Sequence, residues 1–350
     1  MIFFFFSSRH FESDFRKPLI KALIAKGHVV WHVRIGRSNV LTRPDGERTE
    51  FSSISGLVRL ISLLRAYSKT CKSPVICVET TGCCVPVRSM LLIASLRGLW
   101  CFDVFDNLLY DLRGLHRLKR WLDINLLTWL CPIKIVLSRE LLRIMPNAYH
   151  LDNAVDIRRE DRVERNFSDL MTLFSIDVRF DFELVKEVAA SAPQRKIYLY
   201  GRVANGNQKI KFRLEELCAY SNVIYRGEYV PDDVDAILAP FGIGFAPYVT
   251  NSFMTEFINP DKYYLYLQSG MEVISTDIPQ ARRMDDRIHI ARSAGEIVEM
   301  VTRIESDPTY RKNKDVTQNP SWDQRAEELI EIVQSHIISH RIGSKRSTQL

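Results

Sequence analysis

Short apolar runs alternating with stretches of helical periodicity constrain this chain more than any other feature of it. The first run, Ile2 to Phe6, has no polar residue at either parity, so the strand it makes must be covered on both faces. Strands of that kind belong to parallel sheets with helices on both sides. The polar loop SSRHFESD follows, then helical spacing from Phe15 to Lys26 closed by Gly27, then a second apolar run from Val29 to Val33. This is the opening of a βαβ unit. In such a unit the loop after the first strand lies at the ligand-binding edge of the sheet, which puts Ser7, Ser8, Arg9, His10 and Asp14 beside a crevice. His10 is a candidate for acid or base work, because imidazole titrates near neutrality; a hydrogen-bonding surface histidine fits as well.

The alternation continues. After the turn-rich piece LTRPDGER, Ile54 to Ser68 carries Leu57, Leu60, Ile61 and Leu64 on one face, and Val75 to Val78 reads as a strand. A helix is expected over Val85 to Leu96, and the strand in LWCFDVFDN ends at Asp103 and Asp106, with Asn107 beside them. Carboxylates at a strand's carboxyl end face a ligand or cap the next segment. Leu108 to Leu130 mixes Leu, Ile and Trp with Arg113, His116, Arg117, Lys119 and Arg120, a composition shared by helices that lie on anionic membrane surfaces and by half-buried domain helices. The basic helix at Ile54 to Lys69 would assist such attachment. Ile133 to Leu137 reads as a strand, Ser138 as an N-cap, Tyr149 to Leu151 as a last short strand, and the polar run Arg158 to Asn166 as a linker.

The second half starts afresh with the strand LMTLFSI, a helix from Asp181 to Ala190, and the strand Lys196 to Tyr200 ending in Gly201-Arg202. Glycine just past a strand lets backbone approach a ligand or makes a turn, and Arg202 or Lys209 suits phosphate oxygens. Val223 to Arg226, a helix over Asp232 to Leu238 and the strand Ile243 to Ala246 lead to NPDKYYLYLQSGMEVISTDI, which reads as a helix from Lys262 to Gln268 feeding a strand from Met271 to Ser275. A helix that begins beside a strand's carboxyl end points free N–H groups at the crevice, and a phosphate there would have Lys262 beside it. A buried helix with a solvated lysine gives the same pattern.

The 350 residues suffice for two domains, each with its own interior, and 46% hydrophobic with 26% charged residues is a soluble globular composition. A net charge of +6 spread along the chain gives no nucleic-acid footprint, and suits anionic small molecules or lipid headgroups equally. Seven cysteines, including adjacent Cys83 and Cys84, form no CxxC pair, so a disulfide framework is not expected and a reducing cytosol is. MIFFFF has no basic n-region and is too short to cross a bilayer. There is no GxGxxG, HExxH or GxSxG, which argues against dehydrogenase, zinc protease and α/β-hydrolase chemistry. Asp233-Val-Asp235 has DxD spacing, but after Pro231 it suits the first turn of a helix, so no metal is assigned.

From about Asn153 to Val333 the chain resembles bacterial glycosyltransferases of the GT-B fold, closest in look to the exopolysaccharide and teichuronic-acid glucuronosyltransferase type. The pieces that carry this stand in order: HLDNAVD, SIDVRFDFELVKEVAASAP, IYLYGRV, NVIYRGEYVPDDVDAILAPFGIGFAPY, NPDKYYLYLQSGMEVISTDIP and PSWDQRAEELIEIV. The first half matches only in layout and in CFDVFDN, which resembles an acidic motif of the donor-side cleft.

The resemblance implies two Rossmann-like, doubly wound parallel-sheet domains facing a cleft: an acceptor-binding domain over 1–157, a nucleotide-sugar-binding domain over 158–320, and a helix over 321–340 crossing back to the first. It implies no metal and no cofactor, the nucleotide-sugar being a substrate, and a glycan or lipid-linked acceptor. Lys262 would neutralise the donor diphosphate, Tyr263 and Tyr266 would line the nucleotide site, and Gly201, Arg202, Lys209, Tyr248 and Asn259 would border it. Asp106 or Asp103 would be the general base of an inverting reaction. Where the family's KxxEYLxxGxPVV pattern has glutamate this chain has Leu265, and where it has proline this chain has Glu272. Those departures motivate an alternative, a non-catalytic GT-B protein that binds a nucleotide or a partner glycosyltransferase. The expected location is cytoplasmic, peripheral on the inner face of the membrane.

Overall fold

The computed structural model describes the chain apart from residues 36–37, 81–94, 107–113, 155–163, 205–206, 231–232, 313–319 and 348–350. All but the last two residues of the helix expected over Val85 to Leu96, Cys83-Cys84, Asn107, the start of the Leu108 segment and most of the Arg158 to Asn166 linker therefore lie outside the described residues. The chain divides into two compact units, Met1–Asn153 with Ser321–Leu350, and Ala154–Pro320.

Among the described residues the first unit holds eight strands: β1 (Ile2–Ser7), β2 (Val29–Arg34), β3 (Ser38–Thr42), β4 (Arg48–Ser52), β5 (Val75–Thr80), β6 (Leu99–Val104), β7 (Ile133–Val136) and β8 (Tyr149–His150). Their order in the sheet is β4-β3-β2-β1-β5-β6-β7-β8. Every residue of β1 is buried, as its unbroken apolar run requires, and it pairs in parallel with β2 on one side and β5 on the other. The sheet is not parallel throughout. LTRPDGER is the turn of an antiparallel hairpin, β3 with β4, added at the β2 edge. Ser, Asn, Thr, Arg and Glu dominate these strands, as suits an edge, and leave no apolar run to mark them in the sequence. Ser138 is buried before a 3₁₀ turn, Arg139–Arg143, and its side chain makes no cap bond, unlike the N-cap expected of it.

The helix Trp322–Ser347 returns to this unit. It buries Trp322, Ala326, Leu329 and Val333, and Lys26 at the end of the helix Lys17–Ala25 donates to Glu327 at 2.6 Å. The Tyr149 and His336 rings meet edge to face at 5.5 Å, and Arg325 lies 3.8 Å from Asp152.

The second unit is a six-stranded, wholly parallel sheet of β9 (Leu170–Leu173), β10 (Ile197–Tyr200), β11 (Val223–Gly227), β12 (Ile243–Ala246), β13 (Glu272–Thr276) and β14 (Ile288–Ala291). The order β11-β10-β9-β12-β13-β14 is doubly wound: the chain walks outward from β9 to β11, then returns to the other side of β9 and walks out through β12 to β14. Asp181 caps the helix Phe182–Ser191 by accepting from Leu184 N, and Ser293 caps Ala294–Ser306 by accepting from Glu296 N. Asp235 sits in the first turn of Val234–Leu238, the position its helix-dipole reading gave it. A further helix, Gln208–Cys218, packs against β11 and the helix Phe182–Ser191.

Candidate functional site

In an open sheet of this winding, ligands bind outside the carboxyl ends of the strands where the order reverses. In the second unit that point lies between β9 and β12. Phe174 follows β9 directly, and Pro247-Tyr248 follows β12. Their rings pack at 4.8 Å, and the Lys262 ammonium lies over both, 4.4 Å from the Phe174 centroid and 5.2 Å from that of Tyr248. Lys262 Nζ donates to Tyr248 Oη at 2.8 Å. Tyr248 is held by its own backbone: its N–H donates to Thr276 Oγ1 at 3.0 Å, and the Thr276 hydroxyl donates back to Tyr248 O at 2.7 Å.

Lys262 is the second residue of the helix Asp261–Gln268, which starts after buried Asn259 and extended Pro260. Desolvation pushes its pKa below the ordinary lysine value; nearby Asp261 works against the shift and Arg179 adds to it. Among the described residues no carboxylate forms an ion pair with this ammonium. Its partners are a phenol and two aromatic faces, which attract a cation but do not neutralise it. A desolvated charge without a counter-ion is costly, and an anion bound beside it removes that cost. The loop after β9 adds Asp177 and Arg179, which pair at 2.6 Å, and the loop after β11 adds Tyr229; all three act electrostatically on Lys262. Phe174, Arg179 and Tyr229 were not singled out from the sequence, because nothing in their spacing marks them.

The other donor-side residues divide. Tyr263 and Tyr266 are core residues here, contrary to the expectation that they line the nucleotide site. The Tyr263 hydroxyl meets Ser275 Oγ at 2.5 Å, and the Tyr266 hydroxyl accepts from Leu173 N at 2.6 Å. The ring of Tyr266 lies so close to β12 that a Cβ on Gly244 would come within 2.4 Å of it. Burial pushes both phenols well above their ordinary pKa. Gly201, at φ +144°, makes its close approach to protein backbone: a Cβ there would stand 1.8 Å from the Phe174 carbonyl oxygen. Arg202 is exposed after β10, and Lys209 is exposed in the first turn of Gln208–Cys218; no contact joins either to Lys262 among the described residues.

Glu272 has a structural job. It is the first residue of β13, at the edge opposite Tyr248, where it meets His289 Nε2 at 2.9 Å and accepts from Lys312 N at 2.8 Å. Leu265 is half-buried against the core. One of the two departures from the KxxEYLxxGxPVV pattern is thus accounted for by packing remote from the carboxyl edge.

At the carboxyl edge of the first unit the two candidate acids differ sharply. Asp103 lies inside β6, 2% exposed, and both its oxygens are taken by Arg16, Nε at 2.7 Å and Nη2 at 2.8 Å, with Arg16 itself 1% exposed. Occupied twice over by a guanidinium, it is a structural anion, and the general-base expectation does not suit it. The pair continues into a second one: Arg16 N donates to Asp14 Oδ1 at 2.8 Å, and Asp14 Oδ2 meets His32 Nε2 at 2.9 Å. Desolvation works to raise the Asp14 pKa, but hydrogen bonds from His32, Ser7 and Arg16 outweigh it and hold the carboxyl below its ordinary value. Asp106 is exposed just past β6, beside Phe105, whose ring meets Phe15 edge to face at 5.8 Å. His10 is exposed, and Arg34 Nη1 donates to its Nε2 at 2.7 Å. Among the described residues no group of three His, Cys, Asp or Glu side chains is placed to hold a metal, and no helix is long and apolar enough to cross a membrane.

No family model and no curated protein sequence matches the chain. Solved structures do. Sucrose-phosphate synthase from Thermosynechococcus elongatus superposes at TM-score 0.72 with 12% identity, over 97% of this chain and 100% of its own. An α-glucosyltransferase in complex with UDP and DNA gives 0.68 with 12% identity, over 95% and 100%. HepE of Anabaena, in complex with UDP and glucose, gives 0.59 with 11% identity, over 97% and 99%. These neighbours are GT-B glycosyltransferases, and the chain has the GT-B fold.

Proposed function

We propose that this chain is a glycosyltransferase that takes a hexose from a UDP-sugar and passes it to a glycan or lipid-linked acceptor on the cytoplasmic side of a membrane. One observation carries the reading: the ammonium of Lys262 is held over Phe174 and Tyr248, where the strand order of the second unit reverses, without a carboxylate partner among the described residues. Two neighbours of the same fold support the choice of donor, since both are described with UDP bound.

In this reading the acceptor hydroxyl oxygen attacks the anomeric carbon of the donor while the bond from that carbon to the diphosphate oxygen breaks. The leaving diphosphate takes the electron pair, and Lys262 supplies the charge that stabilises it. Asp106, the exposed acid of the first unit, takes the hydroxyl proton in an inverting course. Arg202 and Lys209 serve the phosphates from the β10 side, Asn259 sets the start of the lysine's helix, and His10 stays a secondary candidate for proton transfer. No metal or cofactor is invoked.

The test is release of nucleoside diphosphate across a panel of UDP-, GDP- and TDP-sugars, with calorimetric titration of UDP alone. Lys262→Met should weaken UDP binding at least about tenfold, the worth of one charge-assisted contact. UDP binding that is unchanged in this variant would refute the assignment. A chain that binds UDP tightly through Lys262 and turns over none of the donors would instead point to a nucleotide-binding protein without transfer activity.

A further inference from the structure

Large apolar side chains lie exposed on one helix of the first unit. In Gly114–Leu130, the side chains of Leu115, Leu118, Trp121, Leu122 and Trp129 are between 48% and 82% exposed. At about 100° per residue they fall within an arc of roughly 120°. The face turned into the unit is the opposite one, where Asp123 and Leu127 are the buried residues. This inverts the usual arrangement, in which a domain helix buries its apolar stripe and shows its polar side to water.

Charge decides what this stripe fits. His116, Arg117, Lys119 and Arg120 occupy the first two turns, and Arg117 and Lys119, both exposed, flank the stripe on either side. The only acid of the helix, Asp123, is buried. Tryptophan near one end and cations along the borders match the interface of a bilayer with anionic headgroups, where indole rings and leucines enter the acyl boundary while lysine and arginine stay at the phosphates. The helix Ser53–Thr70 does not share this character. Its Leu57, Leu60 and Leu64 are buried, so its apolar face serves the unit and the expectation that it joins in membrane attachment is set aside.

We infer that the first unit docks on anionic lipid bilayers by laying Gly114–Leu130 flat in the headgroup region, with Leu115, Leu118, Leu122 and Trp129 inserted. The inference stands independently of the donor site, since it needs no nucleotide.

The experiment is co-sedimentation of the full chain with vesicles of phosphatidylcholine alone or with one third phosphatidylglycerol, together with quenching of tryptophan emission by lipids brominated in the acyl chain. Trp31, Trp100 and Trp322 are buried in the protein, so quenching reads Trp121 and Trp129. The chain should bind the anionic vesicles, be quenched on them, and bind about tenfold more weakly when salt rises from about 0.1 M to 1 M, which shortens the screening length from about 10 Å to 3 Å. Leu118→Glu with Leu122→Glu should weaken binding about a hundredfold, and Arg117→Glu with Lys119→Glu should remove the preference for anionic lipid. All four positions are solvent-facing, so thermal melting of both variants should match the parent. Failure to bind either vesicle overturns the inference, as does binding that survives Leu118→Glu with Leu122→Glu. So does a reversible dimer in sedimentation equilibrium that the same pair abolishes, because the stripe would then be covered by a second copy.

Discussion

Asp103 and Asp106 are three residues apart, and the structure gives them opposite fates on mutation. Asp103→Asn preserves shape but turns one carboxylate oxygen into an amide, so one of the two guanidinium hydrogen bonds survives while the other N–H faces an N–H. Arg16 keeps its charge, at 1% exposure, with no anion against it. Breaking a buried pair by removing one partner costs about 3–5 kcal/mol, most of it the uncompensated charge. For a domain of this size each kcal/mol is worth roughly 2–4 °C, so melting should fall by about 6–20 °C. Asp106→Asn, at an exposed site, should change stability by less than about 0.5 kcal/mol. Its effect belongs in transfer, which should drop about 10²–10⁴-fold if the carboxylate takes the acceptor proton. The assays are thermal denaturation by circular dichroism and sugar transfer well below the melting point of both variants. An Asp103→Asn protein that melts with the parent would refute the buried-pair argument, and an Asp106→Asn protein of parental activity would remove that residue from the reaction. Arg16→Met combined with Asp103→Leu provides a control: with both charges gone, it should recover most of the lost stability.

The Lys262 ammonium is penalised in the folded state, so its folded pKa lies below the unfolded value of 10.5. In a denaturant series its contribution to stability should improve as pH rises from the lowered value towards 10.5 and be flat above, a rise that Lys262→Met should abolish. UDP should bind with proton uptake in the same window, measurable as buffer-dependent heat in calorimetry. Gly201→Ala should cost more than about 3 kcal/mol or prevent folding, because both φ and the Phe174 carbonyl forbid a Cβ; a variant that melts like the parent would contradict the backbone geometry. Glu272→Pro, which restores the residue usual in the KxxEYLxxGxPVV pattern, removes the N–H that bonds Gly242 O at 2.8 Å and leaves His289 without its partner. It should lower stability by about 2–4 kcal/mol while leaving UDP affinity at a permissive temperature unchanged.

Parallel strands were legible because their signal is local: β1 from Ile2 to Phe6 and all of β12 are apolar at consecutive positions, and burial on both faces requires that. The hairpin β3–β4 was not, since an edge pair is half solvated and its polar residues look like loop. Lys262 was legible as a lysine at a helix start, but its aromatic seat was not, because Phe174, Tyr248 and Lys262 are brought together by the strand order and not by spacing along the chain. Tyr263 and Tyr266 misled for the converse reason. Next to a candidate phosphate residue a tyrosine suggests a ligand contact, yet the helical turn that points Lys262 at the edge turns its neighbours onto β12 and β13. Asp103 and Asp106 look alike in CFDVFDN, and only the partner supplied from Arg16 tells them apart.

The helix Trp322–Ser347 makes the first unit discontinuous. Its stretch Met1–Asn153 leaves the surface of Lys17–Ala25 that meets this helix without its cover until Ser321 and beyond have been made, after the entire second unit. During synthesis the second unit can finish while the first still waits for its last piece. A chain cut after Pro320 would lose no residue of the second unit and would instead strip the first of Trp322, Ala326, Leu329 and Val333, so the damage from such a truncation would surface about 300 residues upstream of the cut.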